Sequence, residues 1–126
     1  MPRPLTGALL LVEDDAATRR MFEYALTSAG FTVHTATNGA EALTHLKTRG
    51  FDLVVLDSML PCITGLGVLS SMRQDEATAQ LPVIVVTGAV LTREDVEQLR
   101  GAILLRKPVL VEELVDAVNL ALYGHL

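Results

Sequence analysis

The stretch LVVLDSMLPCITG, residues 53–65, decides how this chain folds. Its first four residues are apolar and lead directly into Asp57, and Pro61 follows four positions later. Short, uniformly apolar runs are typical of strands that are buried on both faces, as in a parallel sheet. The stretch therefore predicts a buried strand with a carboxylate at its end. The function of that carboxylate must be inferred from the residues expected to lie near it.

Apolar runs of the same kind recur at residues 8–12, 83–86 and 103–105, with a more alternating candidate at 31–36. Helical spacing of apolar residues follows these runs, in segments 18–29, 40–49, 66–72, from 92 onward and 110–122. Gly30 and Gly50 are predicted C-caps, and Thr92 with Asp95 predicts a capping box. Strand and helix alternate five times, which indicates an α/β protein with a parallel sheet, right-handed crossovers and helices on both faces.

The size and charge of the chain narrow the possible functions. The 126 residues predict one domain over 1–126, with a core at 8–122 and a flexible N-terminus at 1–7. The net charge of −5 argues against direct nucleic-acid binding, which depends on basic contacts to phosphates. No apolar run is long enough for a membrane helix and no secretory signal is evident, so we expect a cytoplasmic protein without membrane contact. The single cysteine, Cys62, is interpreted as an incidental loop thiol.

Polar side chains follow four of the five predicted strands. The first ends in Glu13, Asp14 and Asp15, and the others end in Asp57, in Thr87 and in the run 106–108. Because ligand chemistry in open α/β sheets gathers at the carboxyl ends of the strands, these groups are expected to converge on one rim.

A crowded set of carboxylates is unfavourable unless a cation lies among them. Oxygen ligands suit Mg²⁺, with Mn²⁺ as a possible substitute, and Asp14 and Asp57 can each supply one oxygen while Glu13 acts through water. Asp15 is left out, since an acid at the start of a helix is explained by the helix dipole. An aspartate can also act as the nucleophile in phosphoryl transfer, and Asp57, at the end of the central strand, is the best candidate.

The motifs LLVEDD, LVVLDSMLPCITG, LPVIVVTGA and LLRKP, with NGAEAL between the first two, resemble in order those of a response-regulator receiver domain. The resemblance covers about residues 8–122 and implies a flavodoxin-like, doubly wound (βα)5 fold with a five-stranded parallel sheet of order 2-1-3-4-5. It also implies a role in two-component signalling, in which a receiver domain takes a phosphoryl group onto an aspartate.

The resemblance assigns a role to each matching position. Asp57 would be the phosphoacceptor, and Asp14 a direct metal ligand paired with Glu13. The backbone carbonyl of Met59 would complete the protein ligands of the metal, and Thr87 would be the switch hydroxyl that closes on the phosphoryl group. Further implied features are the phosphoryl-binding amine of Lys107, a cis peptide bond before Pro108, and control of pocket access at Gly88 and Ala89.

Two departures from the family pattern concern the output of the signal. The family usually has an aromatic residue three positions before the lysine, and here that residue is Leu104. The segment 88–106 is also shorter than usual, by about two residues. We therefore hypothesise that the response of Thr87 is not relayed through an aromatic side chain.

The expected partner is a histidine kinase or a histidine phosphotransfer protein, with a downstream protein or an attached effector domain as the target. Dimerisation through the fourth helix, fifth strand and fifth helix is possible. The chain is not expected to be an enzyme beyond catalysing its own phosphorylation and dephosphorylation.

Two alternatives remain open. The first is a receiver-like interaction module that acts without phosphorylation, which the altered segment 88–106 favours. The second is a Mg²⁺-dependent phosphohydrolase of the haloacid dehalogenase type. That group expects a second aspartate two positions after the nucleophile, where this chain has Met59, and the chain is too short for a substrate cap.

Overall fold

A computed structural model describes residues 7–60 and 64–124. Residues 1–6, which belong to the predicted flexible N-terminus, and Cys62 lie outside the described residues. Gly7, at the start of the described part, accepts a hydrogen bond on its carbonyl oxygen from the Thr32 N–H, at 2.9 Å.

Five strands and five helices alternate in the described residues, as predicted. The strands are β1 (Ala8–Val12), β2 (Thr32–Ala36), β3 (Leu53–Asp57), β4 (Val83–Thr87) and β5 (Ile103–Arg106). The helices are α1 (Ala16–Ser28), α2 (Gly39–Thr48), α3 (Gly65–Gln74), α4 (Arg93–Gln98) and α5 (Val111–Tyr123). All strand pairings are parallel and the sheet order is β2-β1-β3-β4-β5, which confirms the flavodoxin-like fold.

Alternate residues of the strands supply two apolar cores, one on each face of the sheet. Leu10 and Val12 of β1 point into a core covered by α2 and α3, whereas Leu9 and Leu11 point into a core covered by α1 and α5. Because a strand side chain alternates between faces with a period of two, a β1 made only of apolar residues is explained by burial on both sides.

The strands differ in burial according to their place in the sheet. All residues of β3 and β4 are buried, as their composition predicts. Strand β5 is just as apolar in sequence, yet Ile103, Leu104 and Leu105 are only half-buried. In the part of the chain that the structure describes, β5 lies at the edge of the sheet and pairs with β4 alone.

The helix ends agree with the sequence in part. Gly30, with φ of 102°, follows the Ala29 C-cap of α1, and only glycine adopts that backbone angle readily. The prediction of a cap at Gly50 was wrong, since α2 ends on Arg49 in an extended conformation. The capping box of α4 is confirmed, with Thr92 and Asp95 each bonding the other's backbone N–H. No helix in the described ranges is long and apolar enough to span a membrane.

Candidate functional site

Parallel register brings the ends of four strands to one edge of the sheet. Val12 lies beside Leu56, Asp57 beside Val86, and Thr87 beside Arg106. The acidic run after β1, the carboxylate that ends β3, the hydroxyl that ends β4 and the lysine after β5 therefore share one rim, as the sequence predicts.

Asp57 is the centre of this rim and is 3% exposed. Its Oδ2 accepts a hydrogen bond from Lys107 Nζ at 3.1 Å, and its Oδ1 accepts one from the Met59 N–H at 2.9 Å. Two donors thus fix the carboxylate from opposite oxygens, and each oxygen keeps a further acceptor position.

Glu13, Asp14 and Asp57 form an acidic cluster, with one carboxylate oxygen from each lying within 4.8 Å of the others. Glu13 is 2% exposed, while Asp14 is open to solvent. Burial, together with the neighbouring Asp57 carboxylate, raises the pKa of Glu13 to about 8. The charged form of Glu13 is therefore unfavourable in this cluster unless more positive charge is present.

The cluster fits a hard divalent cation. All of its donors are carboxylate oxygens, the ligand type that Mg²⁺ prefers, and the solvent-exposed side of Asp14 leaves room for the waters that Mg²⁺ keeps. A divalent charge would also offset the unfavourable ionisation of Glu13. Met59, two residues after Asp57, is exposed, and the role of its carbonyl oxygen stays a prediction from the resemblance.

Asp15 has a separate, local role. Its Oδ2 accepts hydrogen bonds from the Thr18 N–H at 2.9 Å and the Thr18 hydroxyl at 2.6 Å, as the N-cap of α1. These bonds lower the pKa of Asp15. The placement agrees with its interpretation as a helix N-terminal acid outside the metal site.

Lys107 brings a positive charge into direct contact with Asp57. Partial burial alone would lower its pKa, but the hydrogen bond and charge of Asp57, with the charges of Glu13 and Asp14, outweigh that effect and raise it. The Lys107 N–H bonds the Thr87 carbonyl oxygen at 2.8 Å, which fixes the start of the loop after β5. The Lys107–Pro108 peptide bond is cis, the form that the resemblance implies.

Thr87 is fully buried, and its hydroxyl does not bond Asp57 in the part of the chain described. Its Oγ1 accepts hydrogen bonds from the Ser58 hydroxyl at 2.6 Å and from the Ala89 N–H at 3.0 Å. Gly88 is exposed between them, and a Cβ built there would only reach ordinary contact with the Lys107 side chain. Gly88 therefore leaves unfilled the space that a side chain would occupy beside Lys107.

Four further residues lie near the rim, and of these only Arg106, in the run 106–108, was predicted to be there. Arg19 donates to the Glu13 carbonyl oxygen at 3.0 Å, and Arg106 donates to the Ala89 carbonyl oxygen at 3.2 Å. Ser58 bonds the Thr87 hydroxyl. A Cβ on Gly65 would lie 2.1 Å from the Asp57 carbonyl oxygen, so only glycine lets α3 begin so close to β3. Of the three that were not predicted, only Gly65 had a signal in the sequence, since a glycine at the first position of a helix can indicate a close approach to another backbone.

Leu104 is half-buried on β5 and packs against the core beneath α2 and α3. The helix before β5 is short, since α4 has six residues and none of them is buried. Both observations concern the segment 88–106, which contains α4 and β5, and neither concerns the acidic cluster.

Comparison with known proteins agrees with this geometry. Residues 9–119 match the family model described as the response regulator receiver domain. A probable transcriptional regulator of Pyropia yezoensis, ycf29, is 31% identical over 113 residues, which cover 88% of this chain and 51% of the relative.

Solved structures of receiver proteins have a similar fold. The chemotaxis protein CheY4 of Vibrio cholerae has a TM-score of 0.84 at 27% identity and covers 94% of this chain and 100% of its own. A CheY-like receiver domain protein of Methanospirillum hungatei has a TM-score of 0.86 at 25% identity, covering 96% of each chain.

The five-stranded doubly wound fold and the acidic rim define a receiver module of two-component signalling. The chain belongs to the response regulator receiver domain family. It spans between a quarter and about half of the length of the first curated relatives, with 51%, 30% and 24% of each covered.

Proposed function

We propose that this receiver domain accepts a phosphoryl group onto Asp57 from a histidine kinase or a histidine phosphotransfer protein, with Mg²⁺ bound at Glu13, Asp14 and Asp57. The observation that carries the proposal is the placement of a buried carboxylate 3.1 Å from the Lys107 ammonium and beside two further carboxylates. A purely structural role does not require these groups to converge on one rim.

The transfer follows from the atoms around Asp57. One Asp57 oxygen attacks the phosphorus of a phosphohistidine, so a P–O bond forms as the P–N bond breaks and the imidazole leaves with the electron pair. The backbone N–H of Met59 and the Lys107 ammonium hold the carboxylate in a fixed orientation for this attack. Lys107 then lies where it can offset the negative charge on the phosphoryl oxygens.

A bound Mg²⁺ would supply additional positive charge to the phosphoryl oxygens during transfer. The residues that would hold it are Asp14 and Asp57 directly, Glu13 through water, and Met59 through its carbonyl oxygen. The same arrangement would accept Mn²⁺, which also takes oxygen ligands.

Phosphorylation adds about −1.5 to −2 charge and three acceptor oxygens at Asp57. Lys107 and the Thr87 hydroxyl are the donors placed to respond, and their movement would bias the loop after β4 between two arrangements. The chain acts on itself only and passes the change to a downstream protein or an attached domain. We place this exchange in the cytoplasm, as the sequence predicts.

The test is the intact mass of the chain after incubation with a small-molecule phosphodonor, with Mg²⁺ or with a chelator. We expect a phosphoryl adduct that requires the metal, disappears in Asp57→Asn and is strongly reduced in Asp14→Asn. Asp15→Ser is the matched control, because serine keeps an N-cap acceptor and Asp15 lies outside the cluster.

Absence of an adduct in the unaltered chain would favour the interaction module that acts without phosphorylation. Continuous release of inorganic phosphate from many organic phosphates, at rates typical of enzymes, would favour the phosphohydrolase instead.

A further inference from the structure

Ser58 is the residue after Asp57, and its side chain bonds the threonine that ends β4. Its hydroxyl donates to Thr87 Oγ1 at 2.6 Å, within the usual range for a hydrogen bond between two hydroxyls. Both residues are buried, with Ser58 8% exposed and Thr87 fully enclosed. The two hydroxyls therefore have little access to solvent as an alternative partner.

The backbones on either side of this bond are fixed. The Ser58 N–H bonds the Val86 carbonyl oxygen at 3.0 Å, and the Ser58 carbonyl oxygen accepts from the Gly65 N–H at 3.2 Å. The Thr87 carbonyl oxygen accepts from the Lys107 N–H at 2.8 Å. Because both backbones are held by hydrogen bonds, a rearrangement of this pair must come from rotation of the side chains.

The Thr87 hydroxyl is fully engaged as an acceptor. It accepts from Ser58 and also from the Ala89 N–H at 3.0 Å, and a hydroxyl oxygen has two acceptor positions. To donate to a phosphoryl oxygen on Asp57, the side chain must turn toward the rim, which breaks the bond from Ser58. The buried Ser58 hydroxyl then loses its partner, and a buried polar group without a partner is costly.

We propose that Ser58 is a positioning residue that holds the Thr87 hydroxyl in the unphosphorylated arrangement and so sets how readily the domain switches. The proposal rests on the proposed function, in which Thr87 responds to a phosphoryl group on Asp57. It assigns to the position after the phosphoacceptor a control over the switch equilibrium that is separate from metal binding and from transfer.

Removing the Ser58 hydroxyl should therefore favour the switched state. The net contribution of one such hydrogen bond corresponds to about a fivefold change in a two-state equilibrium. If the switched state is the minor one, the apparent affinity for a phosphoryl mimic rises by the same factor, since affinity scales with the population that can bind.

The experiment is a titration of the chain with beryllofluoride in saturating Mg²⁺, followed by the backbone amide signals of Thr87 and Ala89. We expect Ser58→Ala to bind about fivefold more tightly than the unaltered chain. Ser58→Cys keeps a weaker donor of similar size and should fall between the two. Ser70→Ala removes an exposed hydroxyl on α3 and should leave the affinity unchanged.

A double-mutant cycle separates this role from simple packing. In a Thr87→Ala background, Ser58→Ala should no longer tighten binding, because the bond through which Ser58 acts is already absent. A packing effect of Ser58 would persist in that background.

Two results would overturn the inference while leaving the proposed function intact. Unchanged affinity in Ser58→Ala would show that the bond does not restrain Thr87, and weaker binding would show that Ser58 aids rather than opposes switching. Failure of the unaltered chain to bind beryllofluoride is a different outcome, which rejects the proposed function and this inference together.

Discussion

Asp57 combines two features that are rarely found together, a fixed position and a chemically available carboxylate. Burial at the end of β3 removes its freedom to rotate, and donors from Met59 and Lys107 orient its oxygens. The nearby Glu13 and Asp14 carboxylates make this arrangement favourable only with added positive charge. These contacts favour a role for Asp57 as a nucleophile that lies beside a cation site.

Gly65 controls how closely α3 approaches Asp57, and its substitution is the first prediction. A Cβ at this position would lie 2.1 Å from the Asp57 carbonyl oxygen and 2.6 Å from Ser58 Cα, so backbone atoms must shift. We expect Gly65→Ala to lower the free energy of unfolding by about 1 to 3 kcal/mol, measured by urea denaturation.

Gly50→Ala is the matched control for Gly65, because a Cβ at Gly50 meets nothing within 4 Å. Its unfolding midpoint should stay close to that of the unaltered chain. Equal stability of the two variants would contradict the close approach of α3 to β3.

His34 provides a prediction about pH, away from the acidic rim. It is half-buried on β2, packs edge-on against the Phe51 ring with centroids 5.6 Å apart, and lies 3.1 Å from Arg49 Nη1. Burial, then the charge of Arg49, then His45, lowers the pKa of His34 below its ordinary 6.5. We expect its imidazole proton signal in NMR to titrate below that value.

The sign of the effect on stability follows from this direction. Between the lowered folded pKa and the unfolded value near 6.5, the unfolded chain binds more protons, so the contribution of His34 to stability falls as the pH is lowered through that window. Arg49→Gln should raise the His34 pKa by removing the neighbouring positive charge. An unchanged titration midpoint in that variant would show that Arg49 does not act on the ring.

At the scale of elements, the sequence predicts the order of strands and helices and the polar residue at each strand end. These predictions are correct because the spacing and number of apolar residues in a segment indicate directly how it is buried, as in β3 and β4. The cap at Gly50 and the burial of β5 were not predicted correctly. The end of α2 depends on the local backbone conformation, and the burial of β5 depends on its position at the edge of the sheet. Contacts such as Ser58 with Thr87 join residues 29 positions apart and leave no local signal.

The region between β4 and α5 gives a prediction about how the signal leaves the rim. Leu104 has an aliphatic side chain that packs against the core and carries no polar group that could form a hydrogen bond in solvent. None of the residues of α4 is buried. We expect beryllofluoride to shift the amide signals of Thr87 and Ala89 while the methyl signals of Leu104 stay nearly unchanged in NMR spectra. Leu105, the next residue on β5, serves as the internal reference because it faces the other core.

A large displacement of the Leu104 methyl signals on saturation would contradict this prediction. It would show that the aliphatic side chain at this position moves together with Thr87.

At the scale of the whole molecule, the sheet joins the acidic rim to two cores, so ligand binding at the rim should be measurable as global stability. Residues of β1 and β3 lead from both cores directly into Glu13 and Asp57. A ligand that binds the folded state alone stabilises it by about 2.7 kcal/mol when present at 100 times its dissociation constant.

Metal addition is therefore predicted to raise the free energy of unfolding, and chelation to reverse the rise. Mg²⁺ would also stabilise the fold because the cation offsets the unfavourable crowding of the Glu13 and Asp57 carboxylates. Urea denaturation with and without Mg²⁺ measures it, and Asp14→Asn should lose most of the difference while Asp15→Ser keeps it. Equal stability with Mg²⁺ and with chelator would contradict a metal site at the rim.

The most direct test of the central claim is to locate the phosphoryl group in the unaltered chain after incubation with phosphodonor and Mg²⁺. Borohydride reduction converts an aspartyl phosphate into homoserine, which peptide mass spectrometry can assign to one residue. We expect the conversion at Asp57. Conversion at any other carboxylate, or a phosphoryl adduct that leaves Asp57 unreduced, would contradict this expectation.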